Sequence, residues 1–288
     1  MSAVAREDHP VPAPLAGRHV RVGKARIFHY DVGDGPAVVL VHGFNHHAEA
    51  WVRNISVLAS AGFRVIALDL PGFGRSGVPR MRYSLAGYAD FVAAFLDALD
   101  VPAAHLVGNS MGGAIVLKTA IESPKRVLTV TGVDPAGMFD SVPKTWALAG
   151  HPLARAVLRP LMGRRWLLDR SHARAYHDQK LSTPLQVDLM AEAYTQPGYA
   201  DHILGMAETM LLDPDAGLLW DDLPRLNRPA LVVWGRQDRT LPVQHAYRAA
   251  HRIPAVELRI YDRCGHLPMY ERAEAFNADL VDFIRRRA

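Results

Sequence analysis

Ala104-His105-Leu106-Val107-Gly108-Asn109-Ser110-Met111-Gly112-Gly113-Ala114-Ile115-Val116-Leu117 runs from an apolar, strand-like tetrapeptide through a glycine-flanked serine into an apolar, helix-like stretch. G-x-S-x-G at a strand-to-helix junction demands a turn so tight that its serine takes a strained backbone conformation. A Cβ on either flanking glycine would strike the neighbouring strand or helix. The serine hydroxyl is thereby pushed into the open above the strand ends. Read alone, the pentapeptide also fits a glycine-rich turn with an idle serine, because short motifs recur by chance. What surrounds it decides.

Outward from this turn, short β-rich runs alternate with helical stretches, the pattern of an α/β fold with a mostly parallel sheet covered on both faces. Strands are expected over 18–22, 25–30, 37–42, 64–68, 103–108, 127–133, 230–235 and 255–261. The first two, with Gly23 between them, read as an antiparallel hairpin at an edge. Val38-Val39-Leu40-Val41 and Val65-Ile66-Ala67-Leu68 lack alternation and belong in the buried centre. Helices fit the gaps at 48–60, 84–99 (Ser84 as N-cap), 111–123, 242–251 and 271–286. From Gly137 to Asp222 no convincing strand occurs. The chain therefore divides into a core first part (1–136), a helical cap (137–222) and a core second part (223–288). Within the cap, 151–176 carries six arginines against Asp169 alone. A membrane-surface helix and a solvated face with arginine stems over leucines are the two readings, and the charge balance of the wider cap favours the second.

A serine at neutral pH is a poor nucleophile, so the turn demands a histidine base and an orienting acid, in the chain order Ser, acid, His. Val232-Val233-Trp234-Gly235-Arg236-Gln237-Asp238 reads as a buried strand whose loop carries Asp238. Tyr261-Asp262-Arg263-Cys264-Gly265-His266 reads as the next strand followed by a loop with His266. Both would stand at the carboxyl edge of the sheet, where open α/β sheets place their sites. Asp134, at the end of the 127–133 strand, is the alternative acid. An oxyanion needs two backbone N–H donors; Met111 supplies one at the first turn of its helix, and Phe44, after Gly43, is assigned the other. His42, His46 and His47 lie close in sequence, yet without a matching carboxylate set the expectation is no metal site. Phe44, Met111, Phe139, Trp146 and Leu267 could line an apolar cleft, or belong to the core.

The chain has 288 residues, 49 % hydrophobic and 22 % charged, which excludes a disordered chain, a collagen-like repeat or a coiled coil as a description of the whole. Net charge is +4 without a basic stripe interleaved with aromatics, so nucleic acid is not an expected partner. The first twenty residues hold Arg6, Glu7, Asp8 and three prolines, a polar leader rather than a signal peptide. Neither an intrachain disulfide nor a multi-cysteine metal site can be built from the single Cys264, and the apolar runs are too short to span a bilayer. A cytoplasmic location without a membrane anchor is the expectation.

On the elbow, His42-Gly43-Phe44, Asp69-Leu70-Pro71-Gly72-Phe73-Gly74-Arg75-Ser76, Trp234-Gly235-Arg236-Gln237-Asp238 and Cys264-Gly265-His266, in that family's order, the chain resembles the α/β-hydrolase superfamily along about 25–136 and 223–288. The resemblance implies an eight-stranded sheet, a helical cap inserted after the sixth strand, no cofactor, and Ser110, Asp238 and His266 as triad. Haloalkane dehalogenases and epoxide hydrolases of this fold are similar to one another in using an aspartate at the elbow, which Ser110 excludes. Gly-Asn-Ser-Met-Gly-Gly and Pro-Gly-Phe-Gly-Arg-Ser are similar to hydrolases of meta-ring-fission products. That group tends to carry a glycine-rich loop where this chain has Asn45-His46-His47, and a tryptophan where it has Leu267. The first expectation is a carboxylesterase acting on a small or medium apolar acyl substrate. C–C bond hydrolysis is the alternative, and a non-catalytic ligand-binding module of the same fold the third reading.

Overall fold

The structure, a computed structural model, describes residues 15–138, 151–212 and 219–287. Phe139 and Trp146, and the leader up to residue 14, lie outside them. Eight strands form one sheet: β1 (Gly17–Val22), β2 (Ala25–Val32), β3 (Ala37–Val41), β4 (Arg64–Leu68), β5 (Ala104–Asn109), β6 (Val127–Val133), β7 (Ala230–Gly235) and β8 (Glu257–Tyr261). Their spatial order is β1-β2-β4-β3-β5-β6-β7-β8. β1 pairs with β2, and β2 with β4, antiparallel; every other pairing is parallel. The expected hairpin edge and buried centre are both present.

The helices of the described residues, in chain order, are α1 (Ile55–Ser60), α2 (Leu85–Ala98), α3 (Met111–Glu122), α4 (Pro152–Leu158), α5 (Arg165–Ala175), α6 (Pro184–Ala193), α7 (Tyr199–Leu212), α8 (Gln244–Ala250), α9 (Pro268–Glu271) and α10 (Ala273–Arg287). Successive strand side chains point to opposite faces, and the core divides accordingly. Val39, Val41, Ile66, Leu106 and Trp234 pack with α2, α3 and α8 on one side. Val38, Leu40, Val65, Val107 and Val233 pack with Trp51, α1 and α10 on the other. Both faces of the central strands are thus dry, which is why their sequences do not alternate. Helices α4 to α7 all fall between β6 and β7, so the cap follows the sixth strand. Tyr199, Ile203 and Met206 of the cap join the first core, while Leu168, Val187 and Met190 form a small cluster of their own.

Two helices depart from expectation. The stretch 48–60 is a 3-10 turn over Ala48–Trp51 followed by α1. Asp69 accepts from the Ala48 amide at 2.7 Å, and the Asn54 amide group is drawn away to the Met269 carbonyl and the Asn277 side chain. Tertiary bonds of this kind override helical continuity. The last helix breaks at Arg272, whose guanidinium bonds the carbonyls of Asp262 and Arg263, so α9 and α10 are separate. Ser84 caps α2 through the Gly87 amide. In the arginine-rich segment, Arg155, Arg159 and Arg165 pair with Glu208, Asp201, and Asp169 with Asp188, in keeping with a solvated cap face. Among the described residues no helix is long and apolar enough to cross a membrane.

Candidate active site

Ser110 sits between β5 and α3 with φ +54° and ψ −117°, a conformation that L residues rarely adopt. Close packing holds it there. A Cβ on Gly108 would come within 2.2 Å of the Gly112 carbonyl oxygen, and one on Gly112 within 2.3 Å of that of Val41. The Ser110 amide donates to the Val133 carbonyl and its own carbonyl accepts from the Ala136 amide, so the end of β6 and the segment after it brace the strained turn.

His266 and Asp238 meet beside this turn. The His266 Nδ1 donates to Asp238 Oδ2 at 2.6 Å, and Asp238 Oδ1 accepts from the amides of Thr240 (2.7 Å) and Leu241 (3.0 Å). Burial works against a charge on Asp238, but the adjacent imidazole and the two amides outweigh it and hold the carboxyl below its usual range. Asp134 is the other carboxyl of the site, with Oδ1 accepting from the Gly235 amide at 3.0 Å. Complete burial and the neighbouring Asp238 charge push it well above the usual carboxylate range. The imidazole therefore has Asp238, not Asp134, as its hydrogen-bonded acid. No hydrogen bond joins the Ser110 hydroxyl to His266 among the described residues.

The elbow is tied to the histidine loop through Asn109, whose side-chain amide donates to the carbonyls of His266 (3.0 Å) and Val133 (3.2 Å). Behind the loop, Glu271 accepts from the amides of Gly265 (2.6 Å) and His177 (2.8 Å), and the His266 amide donates to the Ala175 carbonyl at 2.7 Å. The end of α5 and the histidine loop are thus stitched together.

A Cβ on Gly43 would stand 3.1 Å from Ser110 Cβ, so the loop after β3 passes close beside the serine at Gly43. Phe44 is 38 % exposed, whereas Met111 and Leu267 are buried. As the first residue of α3, Met111 has an amide without a helical acceptor. His42 fixes the loop. Its Nε2 accepts from the Leu70 amide at 2.9 Å, so the proton is on Nδ1, which donates to the Gly43 carbonyl at 2.7 Å. Burial lowers its pKa to about 4, and the ring is neutral at pH 7.

With both His42 nitrogens engaged, and both of His47 bound to Glu49 and the Gln186 carbonyl, those three neighbouring histidines offer a metal only the Nε2 of His46. Asp134, Asp238 and His266 are the one convergent donor set among the described residues, with ligand atoms within 4.8 Å of one another. A cation there would have to break the His266–Asp238 bond. Of the residues that shape the site, Asn109, Glu271 and the tautomer of His42 escape the sequence reading. Asn109 stands inside the elbow motif, but nothing local tells that its amide faces a loop 157 positions away.

Fold and elbow together define an α/β-hydrolase with a half-buried serine at the strained position of the turn. The profile of the alpha/beta hydrolase fold family matches residues 36–273, and the chain belongs to that family and is a hydrolase. It is 32 % identical over 268 residues to a 2-hydroxy-6-oxo-6-phenylhexa-2,4-dienoate hydrolase of Burkholderia cepacia, covering 90 % of this chain and 91 % of the relative. To a 2-hydroxy-6-oxononadienedioate/2-hydroxy-6-oxononatrienedioate hydrolase of Burkholderia vietnamiensis it is 33 % identical, with 91 % of each chain covered. Among solved structures, it is similar to a meta-cleavage product hydrolase of Pseudomonas fluorescens, with 28 % identity, a TM-score of 0.76, and 94 % of this chain and 98 % of that one covered. A bacterial membrane phospholipase A is likewise similar, at 28 % identity and a TM-score of 0.79, with 95 % and 87 % covered.

Proposed function

We propose that the protein hydrolyses a C–C bond in a 2-hydroxy-6-oxohexa-2,4-dienoate, the class of compound produced by meta fission of an aromatic ring. What carries this reading is the match at 32 and 33 % identity, along nine-tenths of the chain, to two hydrolases named for such substrates. It reverses the order of the expectations drawn from the sequence, in which an ester came first.

In the proposed reaction Ser110 Oγ attacks the 6-oxo carbon and His266 Nε2 takes the hydroxyl proton. Asp238, accepting from Nδ1, fixes that tautomer and stabilises the imidazolium. The Phe44 and Met111 amides hold the oxyanion, each worth about 3 kcal/mol. The Ser110–His266 contact forms as substrate enters, since catalytic hydrogen bonds commonly tighten only in the substrate complex. Collapse breaks the C5–C6 bond only if C5 has somewhere to place the electron pair. The dienol must first ketonise, so that the pair delocalises onto the 2-oxo oxygen, which the His266 proton then neutralises. Water, deprotonated by the same imidazole, releases the carboxylic acid from Ser110.

The second reading is ester hydrolysis by the same residues. Asn45-His46-His47 and Leu267 favour it, since these positions depart from the C–C hydrolases, as does the likeness to a phospholipase. Incubation with 2-hydroxy-6-oxo-6-phenylhexa-2,4-dienoate separates the two. Loss of the dienol chromophore with the protein, and none with Ser110→Ala, is the expected result. Turnover of p-nitrophenyl butyrate with the dienoate untouched would install the ester reading. A protein that turns over neither and does not react with a fluorophosphonate at Ser110 would be a binding module.

A further inference from the structure

Two carboxyl groups share the acid end of the site, and only one has a visible occupation. Each Asp238 oxygen is met by N–H donors, His266 on Oδ2 and both Thr240 and Leu241 on Oδ1, which leaves one lone pair of Oδ2 open to a further donor. Asp134 is wholly buried; its Oδ1 takes the Gly235 amide, but its Oδ2 has no donor at all. A buried carboxylate oxygen without a donor costs several kcal/mol, and a second negative charge within 4.8 Å of the first costs more. One proton on Asp134 Oδ2 removes both penalties, because a carboxylic acid donates where a carboxylate can only accept.

We propose that Asp134 is a positioning residue held as a carboxylic acid, donating to the Asp238 carboxylate, and that it becomes the anionic partner of His266 when Asp238 is neutralised. The assignment rests on the triad reading above but not on which bond the enzyme breaks. The charged and titratable groups facing it are Asp238 and His266, and, from the β8 loop and α9, Cys264 and Glu271. Burial, Asp238 and Glu271 all favour the proton on Asp134, with the Gly235 amide alone opposing. The backbone favours a short polar side chain as well. Asp134 has φ +42°, a left-handed conformation that aspartate and asparagine tolerate better than other L residues.

Asparagine therefore reproduces every feature except the ionisable proton: its oxygen accepts from Gly235 and its amide donates to Asp238. With p-nitrophenyl butyrate hydrolysis, or the rate of fluorophosphonate labelling of Ser110, as a readout common to both functional readings, Asp134→Asn is expected to retain kcat within about 3-fold. Asp134→Ala, which removes the donor and leaves Asp238 more basic, is expected to move the acidic limb of the kcat/KM profile to higher pH. Asp238→Asn is expected to lose about 10⁴-fold in kcat, with residual activity that rises with pH as Asp134 ionises. That residue of activity should fall at least a further 10-fold in the Asp134→Asn/Asp238→Asn double variant. Independently of activity, the infrared spectrum at pH 7 should contain a carboxylic-acid carbonyl band that Asp134→Asn abolishes. The absence of that band from the parent, an Asp134→Asn loss as large as that of Asp238→Asn, or a double variant no slower than Asp238→Asn would overturn the proposal. Failure of Ser110→Ala to abolish turnover would instead remove the triad reading beneath it.

Discussion

Asn109 is the residue whose removal should separate the elbow from its base. Its amide bridges the Val133 and His266 carbonyls in a buried position, so Asn109→Ala leaves the His266 carbonyl without this donor and the Val133 carbonyl with the Ser110 amide alone, at a cost of about 1–3 kcal/mol for the acceptor left unmet. The expected outcome is a lower denaturation midpoint and a fall in kcat larger than the change in KM, because the histidine loop loses its register against Ser110. Unchanged kcat with lowered stability would show the bridge to be only structural. At this scale the sequence is informative where chemistry dictates residue type. Ser110, His266 and Asp238 stand out because a strained turn, chain order and strand ends all point to them. Asn109 does not, since an amide side chain acquires meaning only from the carbonyls folding brings to it. His42 is similar: its type is visible, but its neutral Nδ1–H tautomer follows only from the Leu70 amide on the far nitrogen.

Among elements, α9 has the largest effect for its length. It is only four residues long, yet Glu271 at its end accepts from Gly265, His177 and Asp178, so one carboxylate links the histidine loop to the segment after α5. Glu271→Ala strands these amides, and its expected effect is a loss of about 2 kcal/mol or more of stability together with slower turnover. Glu271→Gln keeps an acceptor oxygen and should recover part of both; thermal melts and kcat measured on the two variants check this. Equal behaviour of the Ala and Gln variants would refute the acceptor role. The central strands were legible because buried parallel strands write themselves as continuous apolar runs, and the exposed antiparallel edge because Gly23 separates two short β-rich runs. The helix at 48–60 and the start of the last one were not, since Asp69 and the carbonyls of Asp262 and Arg263 compete for their backbone and side chains from elsewhere in the chain. The cap between β6 and β7 announced itself by the absence of strands, but the way Tyr199, Ile203 and Met206 join the main core depends on tertiary packing.

For the whole molecule the governing quantity is how many histidines are folded away uncharged. Fourteen of them in a list give no sign of which are buried, because burial follows from register and not from type. In the fold, desolvation lowers His42, His105 and His172 to about 4, and lowers His29 as well. In the unfolded chain each titrates near 6.5. Between those values the unfolded state binds protons that the folded state refuses, so stability is full above about pH 6.5 and declines as pH falls toward 4. Glu49 extends the decline. The His47 and Arg75 side chains overcome its burial and hold it at about 2, so its contribution is present above its ordinary 4.5 and lost as pH falls toward 2. Asp134 and Glu271 act in the opposite sense, since burial raises both carboxyls above the unfolded value, but they are two groups against several histidines. Each histidine kept neutral removes about 1.4 kcal/mol per pH unit inside its window, and two of them about 3, against a total stability on the order of 5–15 kcal/mol. Urea midpoints measured from pH 7.5 down to pH 5 should therefore fall steeply, and replacing His105 with phenylalanine should flatten the dependence by about one proton. A midpoint that stays constant across that range would mean that these rings are protonated within the fold, and with it the neutral His42 that steadies the Gly43 carbonyl would have to be given up.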